Sequence, residues 1–458
     1  MERKGEDPKA IQPPRSIYKA GICTGTGMRA PRTSVALVGL FTLFAGITWV
    51  EGDAGQGLAG RVAVPDVFGV LIVAYAAVQS LSRGGGRISV PSQYRFYVPL
   101  LIVYLISASF SLQPTRALFE ILVHVFIFVV SLAIYSLLLR QSEDDLSRAL
   151  QAALYGAGTI AFIGIMHFFF FPSMFSGSQG GLSGTFRNTG QAGSYFGLML
   201  ALLIPAYLCG FLRANVRNTA LLLIIAIALL FTFKRAALVG VLFGAAVLFG
   251  RLVVMGGRRQ KLIAAIILVA IAPAFLGVSV LLEYAAENIH GVSYRLNRKM
   301  TGDALDDFAS GFFTENLRAS IEAVKLRPFV GIGLSNASGL VTERYEIHGS
   351  YFAVLAYSGI IGLGAYLTFL ARVMWVVVSA SGLEDRCSKY LYYFWPFFIG
   401  LIGSWIYTYP LRKREFWIML ALVSVVVAFA REARQYSKRR GDRGIIGNPG
   451  LEGADVHR

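Results

Sequence analysis

The sequence predicts an all-α, polytopic integral membrane protein with about twelve transmembrane helices. Three observations support this fold class: the composition, the lengths of the apolar runs and the distribution of positive charge. Of the 458 residues, 55% are hydrophobic and 15% are charged, and the mean hydropathy is +0.59. A soluble domain carries about 25% charged residues, so this deficit indicates a surface that mostly faces lipid.

Twelve apolar runs approach the roughly 20 residues that a helix needs to cross a bilayer. We predict that the first run is an uncleaved span, because it follows a long basic leader and lacks a small-residue cleavage site. Only Lys234 and Arg235 separate the seventh run from the eighth. The predicted spans are 34–50, 64–81, 97–112, 118–139, 150–171, 194–212, 218–233, 236–255, 262–282, 350–371, 390–409 and 415–431.

The basic residues orient these spans. With the N-terminus inside, roughly two thirds of the 43 Lys and Arg residues fall in segments predicted to be cytoplasmic, as the positive-inside rule requires. Both termini are therefore predicted to be cytoplasmic. The resulting division is a basic leader (1–33), helices 1–9 (34–282), a long non-cytoplasmic loop (283–349), helices 10–12 (350–431) and a tail (432–458).

The net charge of +17 does not indicate a nucleic-acid partner. Its basic residues are concentrated at the termini and in alternate loops, where membrane topology and anionic lipid headgroups account for them. The cysteines Cys23, Cys209 and Cys387 are far apart and form no CxxC motif. We therefore predict membrane lipids as partners, and neither a metal site nor a disulfide framework.

Two basic segments are candidate anion sites on the predicted outer face. Lys234 and Arg235 form a tight turn between two spans, and adjacent ammonium and guanidinium groups suit phosphate. A polar turn whose long side chains extend to the interface is the alternative. Arg187 lies in the segment GTFRNTG, whose glycines and Asn permit exposed backbone amides. For Arg187 we favour an ordinary turn over a direct ligand contact.

The long outer loop contains a predicted amphipathic helix at 314–327, which Pro328 ends. Its apolar residues follow the i, i+4, i+7 spacing of one helix face, which suits a helix lying on the membrane surface. Arg318 lies on this helix, and an i, i+4 pair with Glu322 is the alternative to a ligand contact. The apolar residues are Leu317, Ile321 and Val324.

The sequence predicts different environments for two histidines. His348 immediately precedes a span, and it is either a solvated loop residue or a general base, because imidazole titrates near neutrality. His124 follows Arg116 and Glu120 at i, i+4, i+8, so a buried helix-face network explains it.

Three segments in order carry a family resemblance. Residues 318–363, reading RASIEAVKLRPFVGIGLSNASG…HGSYFAVLAYSGIIGLG, resemble the O-antigen ligase and polymerase family, with its Arg-containing helix, P-x-x-G-x-G turn and His before a span ending in G-x-x-G. The segment GTFRNTGQAGSYFGLMLAL resembles the family's GTF-x-N segment, and Lys234-Arg235-Ala236 resembles its Ser-Arg-Gly turn. Three positions depart from the pattern, and they bear mainly on the acceptor: Thr189, Lys234 and Gly349.

The resemblance implies a glycosyltransferase with a GT-C-like membrane fold that uses no metal or other cofactor. Such enzymes take a glycan from an undecaprenyl-diphosphate carrier on the periplasmic side of the bacterial inner membrane. They transfer it with inversion to a hydroxyl of lipid A core, of another glycan or of a protein. By this resemblance His348 would be the general base, and the diphosphate would be bound by Arg235, Arg318, Lys234 and Arg187.

Two alternatives stay open. A transporter or lipid-linked glycan flippase would suit twelve spans, and it predicts internal repeats, discontinuous spans and ionisable residues near the membrane midplane. The other alternative is a transferase, with or without a metal ion, whose base is Glu51 or Asp53 in the first outer loop.

Overall fold

The computed structural model describes residues 33–47, 64–82, 89–171, 181–255, 257, 280–281, 283–289, 292–293, 312–337, 340–341 and 347–446. The elements named below are twelve helices and the short 3-10 helix Ser92–Phe96. The helices are α1 (Thr33–Ala45), α2 (Val64–Ser82), α3 (Val98–Ser109), α4 (Pro114–Leu139), α5 (Glu143–Phe170), α6 (Thr189–Leu208), α7 (Val216–Phe231), α8 (Arg235–Met255), α9 (Phe312–Leu326), α10 (Ser350–Ala380), α11 (Arg386–Ser404) and α12 (Arg414–Ile446).

The fold is that of an all-helical membrane protein. Seven of the described helices, α2, α4, α5, α6, α8, α10 and α12, are long and apolar enough to cross a bilayer. Helices α1 and α7 are apolar but shorter. The predicted ninth span, 262–282, lies outside the described residues except for 280 and 281. The all-α membrane class is therefore confirmed, and the total of twelve spans stays a prediction.

The centre of the bundle is formed by α6 and α12, each of which has 78% of its most apolar window buried inside the protein. A close crossing joins α8 to α11 beside them. A Cβ added at Gly400 would come within 2.0 Å of the carbonyl oxygen of Gly240, so only small residues allow this approach. Tight helix crossings of this kind fix the relative positions of the connections at the helix ends.

The connections lie at two opposite ends of the bundle. One end, called the rim below, carries the connections 110–113, 181–188, 232–234, 327–337, 347–349 and 405–413. Hydrogen bonds tie the rim together: Gln113 N donates to Asn336 Oδ1 (3.1 Å), and Leu182 N donates to Phe231 O (2.8 Å). At the opposite end Arg386 Nη2 donates to Gly210 O at 2.7 Å. All five predicted site residues lie at or beside the rim.

Helix α10 is broken at Gly359, which has φ 65° and ψ −166°. The connection after α9 fills the break. Ile332 N and Gly333 N donate to the carbonyls of Ala356 (3.0 Å) and Tyr357 (3.1 Å), and Ile360 N donates to Pro328 O (2.9 Å). The backbone groups released by the break are thereby satisfied, as burial requires. The P-x-x-G-x-G turn is thus a backbone wedge that holds α9 against α10.

Candidate functional site

The Lys234-Arg235 turn separates α7 from α8, as the sequence predicts. Thr232 stabilises the turn, because its hydroxyl donates to Leu229 O (2.6 Å) and accepts from Lys234 N (3.2 Å). Phe233 has φ 50°, so the chain reverses sharply there. Arg235 then begins α8 with an exposed side chain, and Lys234 is partly buried.

The side chain of Lys234 runs along the first turns of α6. A Cβ built at Gly193 would come within 2.5 Å of Lys234 Cβ, and a Cβ built at Gly190 would lie 3.6 Å from Lys234 Nζ. The side chain of Asn188 caps α6 by accepting from Gln191 N at 2.9 Å. A helix N-terminus carries partial positive charge, so an ammonium group there adds to a positive potential that favours anions.

His348 is exposed at the rim, and two contacts fix its backbone. Its N–H donates to Asn316 Oδ1 of α9 at 2.7 Å. Gly349, at φ +95°, follows, and a Cβ there would come within 2.1 Å of Ile406 O. Ser350 N then donates to Trp405 O at 2.7 Å. The start of α10 is therefore held between α9 and the α11–α12 connection, with the His348 side chain left accessible.

Tyr407, in the connection between α11 and α12, lies near both Arg235 and α9 of the long loop. Burial raises the pKa of the Tyr407 hydroxyl, and the nearby guanidinium of Arg235 opposes this effect. The ring of Phe313, on α9, lies 6.3 Å from the Tyr407 ring and 5.2 Å from that of Phe352 on α10. Arg235 and His348 thus lie near the same part of the α11–α12 connection, residues 405–408.

The remaining predicted residues lie on the exposed parts of the same end. Arg318 occupies the exposed side of α9, two residues from Asn316, which is buried. The alternative of an ion pair between Arg318 and Glu322 does not form, and Glu322 Oε1 instead accepts from Lys325 Nζ at 2.9 Å. Arg187 is exposed immediately before the Asn188 cap of α6.

His124 is buried, as predicted, but its partners differ in part from those expected. Its Nδ1 contacts Glu120 O (2.8 Å), and its Nε2 contacts the Tyr409 hydroxyl (3.1 Å). Glu120 Oε1 pairs with Arg412 Nη2 at 3.0 Å, where the exposed fractions of the two side chains are 4% and 34%. A polar network thereby joins helix α4 to the α11–α12 connection, and His124 is buried within it.

Sequence reasoning missed the basic run Arg412-Lys413-Arg414. Arg414 pairs with Asp66 of α2 through two hydrogen bonds (2.8 and 2.6 Å). Lys413 is partly buried beside the rim. Burial lowers the pKa of Lys413 to about 8, Glu415 opposes this effect, and Lys234 adds to it. A run of three cations in a predicted outer connection runs against the positive-inside rule, and that departure is the signal that could have identified it.

No three His, Cys, Asp or Glu side chains come together as a metal-binding group within the described residues. Glu51 and Asp53, the alternative metal-assisted site, lie outside those residues.

Residues 220–367 match the Wzy_C family model, described as O-antigen ligase. The match confirms the family resemblance over that part of the chain, and it includes Lys234, Arg235, Arg318 and His348; Arg187 and Lys413 lie outside it. It supports glycan transfer of the O-antigen ligase or polymerase type in general terms, with a lipid-linked donor and a glycan acceptor in a membrane. No curated protein matches the chain.

Proposed function

We propose that this protein transfers a glycan from an undecaprenyl-diphosphate carrier to an acceptor hydroxyl at the rim. The acceptor is lipid A core, another glycan or a protein. The observation that carries the proposal is that Arg235 and His348, both inside the family match, lie near the same part of the α11–α12 connection, residues 405–408. The rim is proposed to face the periplasm across the bacterial inner membrane, with both termini in the cytoplasm.

The leaving group explains the need for cations. As the bond between the anomeric carbon and the phosphate oxygen breaks, the lipid diphosphate departs with the electron pair and gains negative charge. Arg235 and Arg318 are proposed to stabilise that charge, with Lys234 and Arg187 in support. Preorganised positive groups of this kind can replace a metal ion, so the reaction is proposed to be metal-independent.

His348 is proposed to act on the acceptor. The acceptor oxygen attacks the anomeric carbon from the face opposite the departing diphosphate, which inverts the configuration. The proton of the acceptor hydroxyl passes to the imidazole of His348 as the new bond forms. The fixed backbone of His348 and its exposed side chain suit a base that must meet an acceptor arriving from solution.

The test is transfer by the full chain in membrane vesicles, with a diphosphate-linked glycan donor and an acceptor. Arg235→Ala, Arg318→Ala and His348→Ala should each lower the rate about 10²–10³-fold at unchanged protein level, the usual cost of losing one preorganised charge contact. Lys325→Met, at an exposed Lys325 paired with Glu322, is the matched control. Near-normal transfer by all three variants would contradict the proposed site, and loss of transfer on chelation would contradict metal independence.

A second candidate is a lipid-linked glycan flippase, favoured by the break in α10 at Gly359. Transporters use broken helices to expose backbone groups to substrate. Here the connection 328–333 occupies the released groups, which weakens this alternative. Accumulation of the intact donor across the vesicle membrane without bond cleavage would establish it.

Ligase and polymerase activities predict different glycan phenotypes. Deletion of a polymerase leaves short chains, and deletion of a ligase accumulates full-length chains on the carrier.

A further inference from the structure

Asn316 is buried where α9 packs on α10, and its side chain contacts the backbone of His348. The residue is 4% exposed, and its Oδ1 accepts from His348 N at 2.7 Å. Ser320, one helical turn later and fully buried, lies on the same face of α9. The Ser320 hydroxyl donates to Asn316 O (2.7 Å) and to Phe352 O (3.0 Å). This face of α9 therefore packs on the first turn of α10.

Asn316 and the exposed Arg318 occupy opposite sides of α9. Successive residues of an α-helix are rotated by about 100°, so residues two positions apart differ by roughly 200°. The rise over the same two residues is only about 3 Å. Helix α9 thus carries Arg318 outward at nearly the same level at which it holds the backbone of His348. One short helix therefore sets the distance between the two groups.

The backbone at the start of α10 depends on contacts from neighbouring elements. Gly349, at φ 95°, is the N-cap of α10 and supplies no side-chain cap, whereas Ser, Thr, Asp and Asn caps usually do. Glycine also allows many backbone conformations, so it does not by itself orient the residue before it. The bond from Ser350 N to Trp405 O (2.7 Å) ties this segment to the α11–α12 connection. The bond from His348 N to Asn316 ties it to α9.

We infer that Asn316 is a positioning residue for the proposed base. Its bond to His348 N fixes the backbone from which the imidazole projects, and so places the imidazole relative to Arg318 and the departing diphosphate. The inference rests on the proposed function. The acceptor loses its proton as the diphosphate departs, so the base and the cation must be in place together. A misplacement of about 1 Å can lower a rate about 10²-fold. Asn316 therefore acts on the transfer step rather than on donor binding.

The test is steady-state transfer by the full chain reconstituted in liposomes. The donor is fractionated lipid-linked glycan from cells that lack the gene, and the rest of that membrane extract supplies the acceptor at a fixed excess. Asn316→Ala should lower kcat roughly 10- to 100-fold and change the donor KM by less than about threefold. Asn316→Asp keeps an accepting oxygen at the same place, so it should return kcat to within about threefold of the unaltered chain.

Two controls separate positioning from a general loss of packing. Ser320→Ala removes a buried hydroxyl that bonds α9 to Phe352, and it should keep kcat within about threefold of the unaltered chain. In the His348→Ala background, Asn316→Ala should cause no further loss, since a residue that acts through His348 has nothing left to position. Asn316→Ser, whose side chain is one bond shorter, should match Asn316→Ala, and it decides the question if the alanine variant does not fold.

The outcomes separate this inference from the proposed function. Near-normal kcat in Asn316→Ala or Asn316→Ser, with loss of transfer in His348→Ala, would overturn the positioning role and leave the proposed function standing. Equal losses in Asn316→Ala and Ser320→Ala, a full further loss in the His348→Ala background, or no recovery in Asn316→Asp at normal protein level would also overturn it. No transfer by the unaltered chain, or normal transfer by His348→Ala, would contradict the proposed function and the inference with it.

Discussion

Gly331 is the residue at which one added methyl group should do most damage to the wedge between α9 and α10. It has φ +69°, and a Cβ there would lie 2.4 Å from both Ser358 N and Tyr357 C. Both neighbours are backbone atoms beside the Gly359 break, so no side chain can rotate to make room. Gly331→Ala must therefore displace the connection, the start of α10 or both.

The structure gives the size of the effect. An Ala in the left-handed region costs about 1–2 kcal/mol. Relief of the overlap costs about 1–3 kcal/mol, as in other overpacked sites. The displacement also weakens the bonds from Ile332 N to Ala356 O and from Gly333 N to Tyr357 O, each contributing about 1 kcal/mol. The expected total is about 3–6 kcal/mol, a large fraction of the stability of most folds.

Thermal unfolding of the full chain in detergent, followed by loss of monodisperse protein, measures this effect. We expect the midpoint of Gly331→Ala to fall by at least several degrees. Gly364→Ala is the matched control, because Gly364 lies in α10 beyond the break and a Cβ there meets nothing within 4 Å. Equal midpoints for Gly331→Ala and the unaltered protein would refute the wedge.

Three further predictions concern the rim. Arg412→Ala should destabilise the protein by about 1–3 kcal/mol, because it removes the guanidinium that pairs with the buried Glu120 carboxylate, and thermal unfolding should show that Glu120→Gln in the same chain recovers much of the loss. Lys413→Met should stabilise the protein by about 1–2 kcal/mol at pH 7, since the charged form of Lys413 is disfavoured in the folded state and retains some contact with water. This increase in stability should be complete below pH 8. It should decrease between pH 8 and about 10.5, because in that range the unfolded chain binds a proton that the folded chain does not. A constant increase across that range would contradict the lowered pKa of Lys413. Arg318→Ala should leave the unfolding midpoint unchanged while lowering transfer, and a matching fall in the midpoint would assign Arg318 a structural role instead.

Local signals predicted much of the fold. The interruption of an apolar run by Lys234 and Arg235 correctly divided α7 from α8, although two charges alone are a small perturbation of hydropathy. The i, i+4, i+7 spacing at 314–327 predicted a helix that the structure contains as α9 (Phe312–Leu326), followed closely by Pro328. Both features depend only on residues that are close together in the sequence, which is why they can be predicted from it.

Contacts between distant segments could not be predicted in the same way. Hydropathy continues through Gly359, so the break in α10 was missed; it exists because a connection almost 30 residues earlier supplies the missing hydrogen bonds. The alternative pair of Arg318 with Glu322 does not form, and Lys325, one turn from Glu322 on the other side, pairs with that carboxylate instead. Likewise, burial of Lys413 lowers its pKa, and Lys234, which is distant in sequence, adds to this effect.

The candidate site shows the same contrast between what local signals predict and what depends on distant segments. The resemblance singled out five residues, and all of them lie at or beside the rim: Arg187, Lys234, Arg235, Arg318 and His348. It provided no information on the α11–α12 connection, which lies beyond the matched residues 220–367. That connection bonds to Ser350, two residues after His348, and its Tyr407 lies near Arg235, so part of the site's framework was absent from the sequence argument.

The position of the donor's diphosphate tests the central claim most directly. A polyprenyl diphosphate carrying a photoreactive group beside its phosphates can be crosslinked to the full chain in membrane vesicles, and the modified peptides can be identified by mass spectrometry. We expect crosslinks in 187–193, 232–236 and 405–415, which an excess of unlabelled diphosphate suppresses. Suppressible crosslinks at the opposite end of the bundle, in 209–215 or 381–386, would contradict a donor site at the rim.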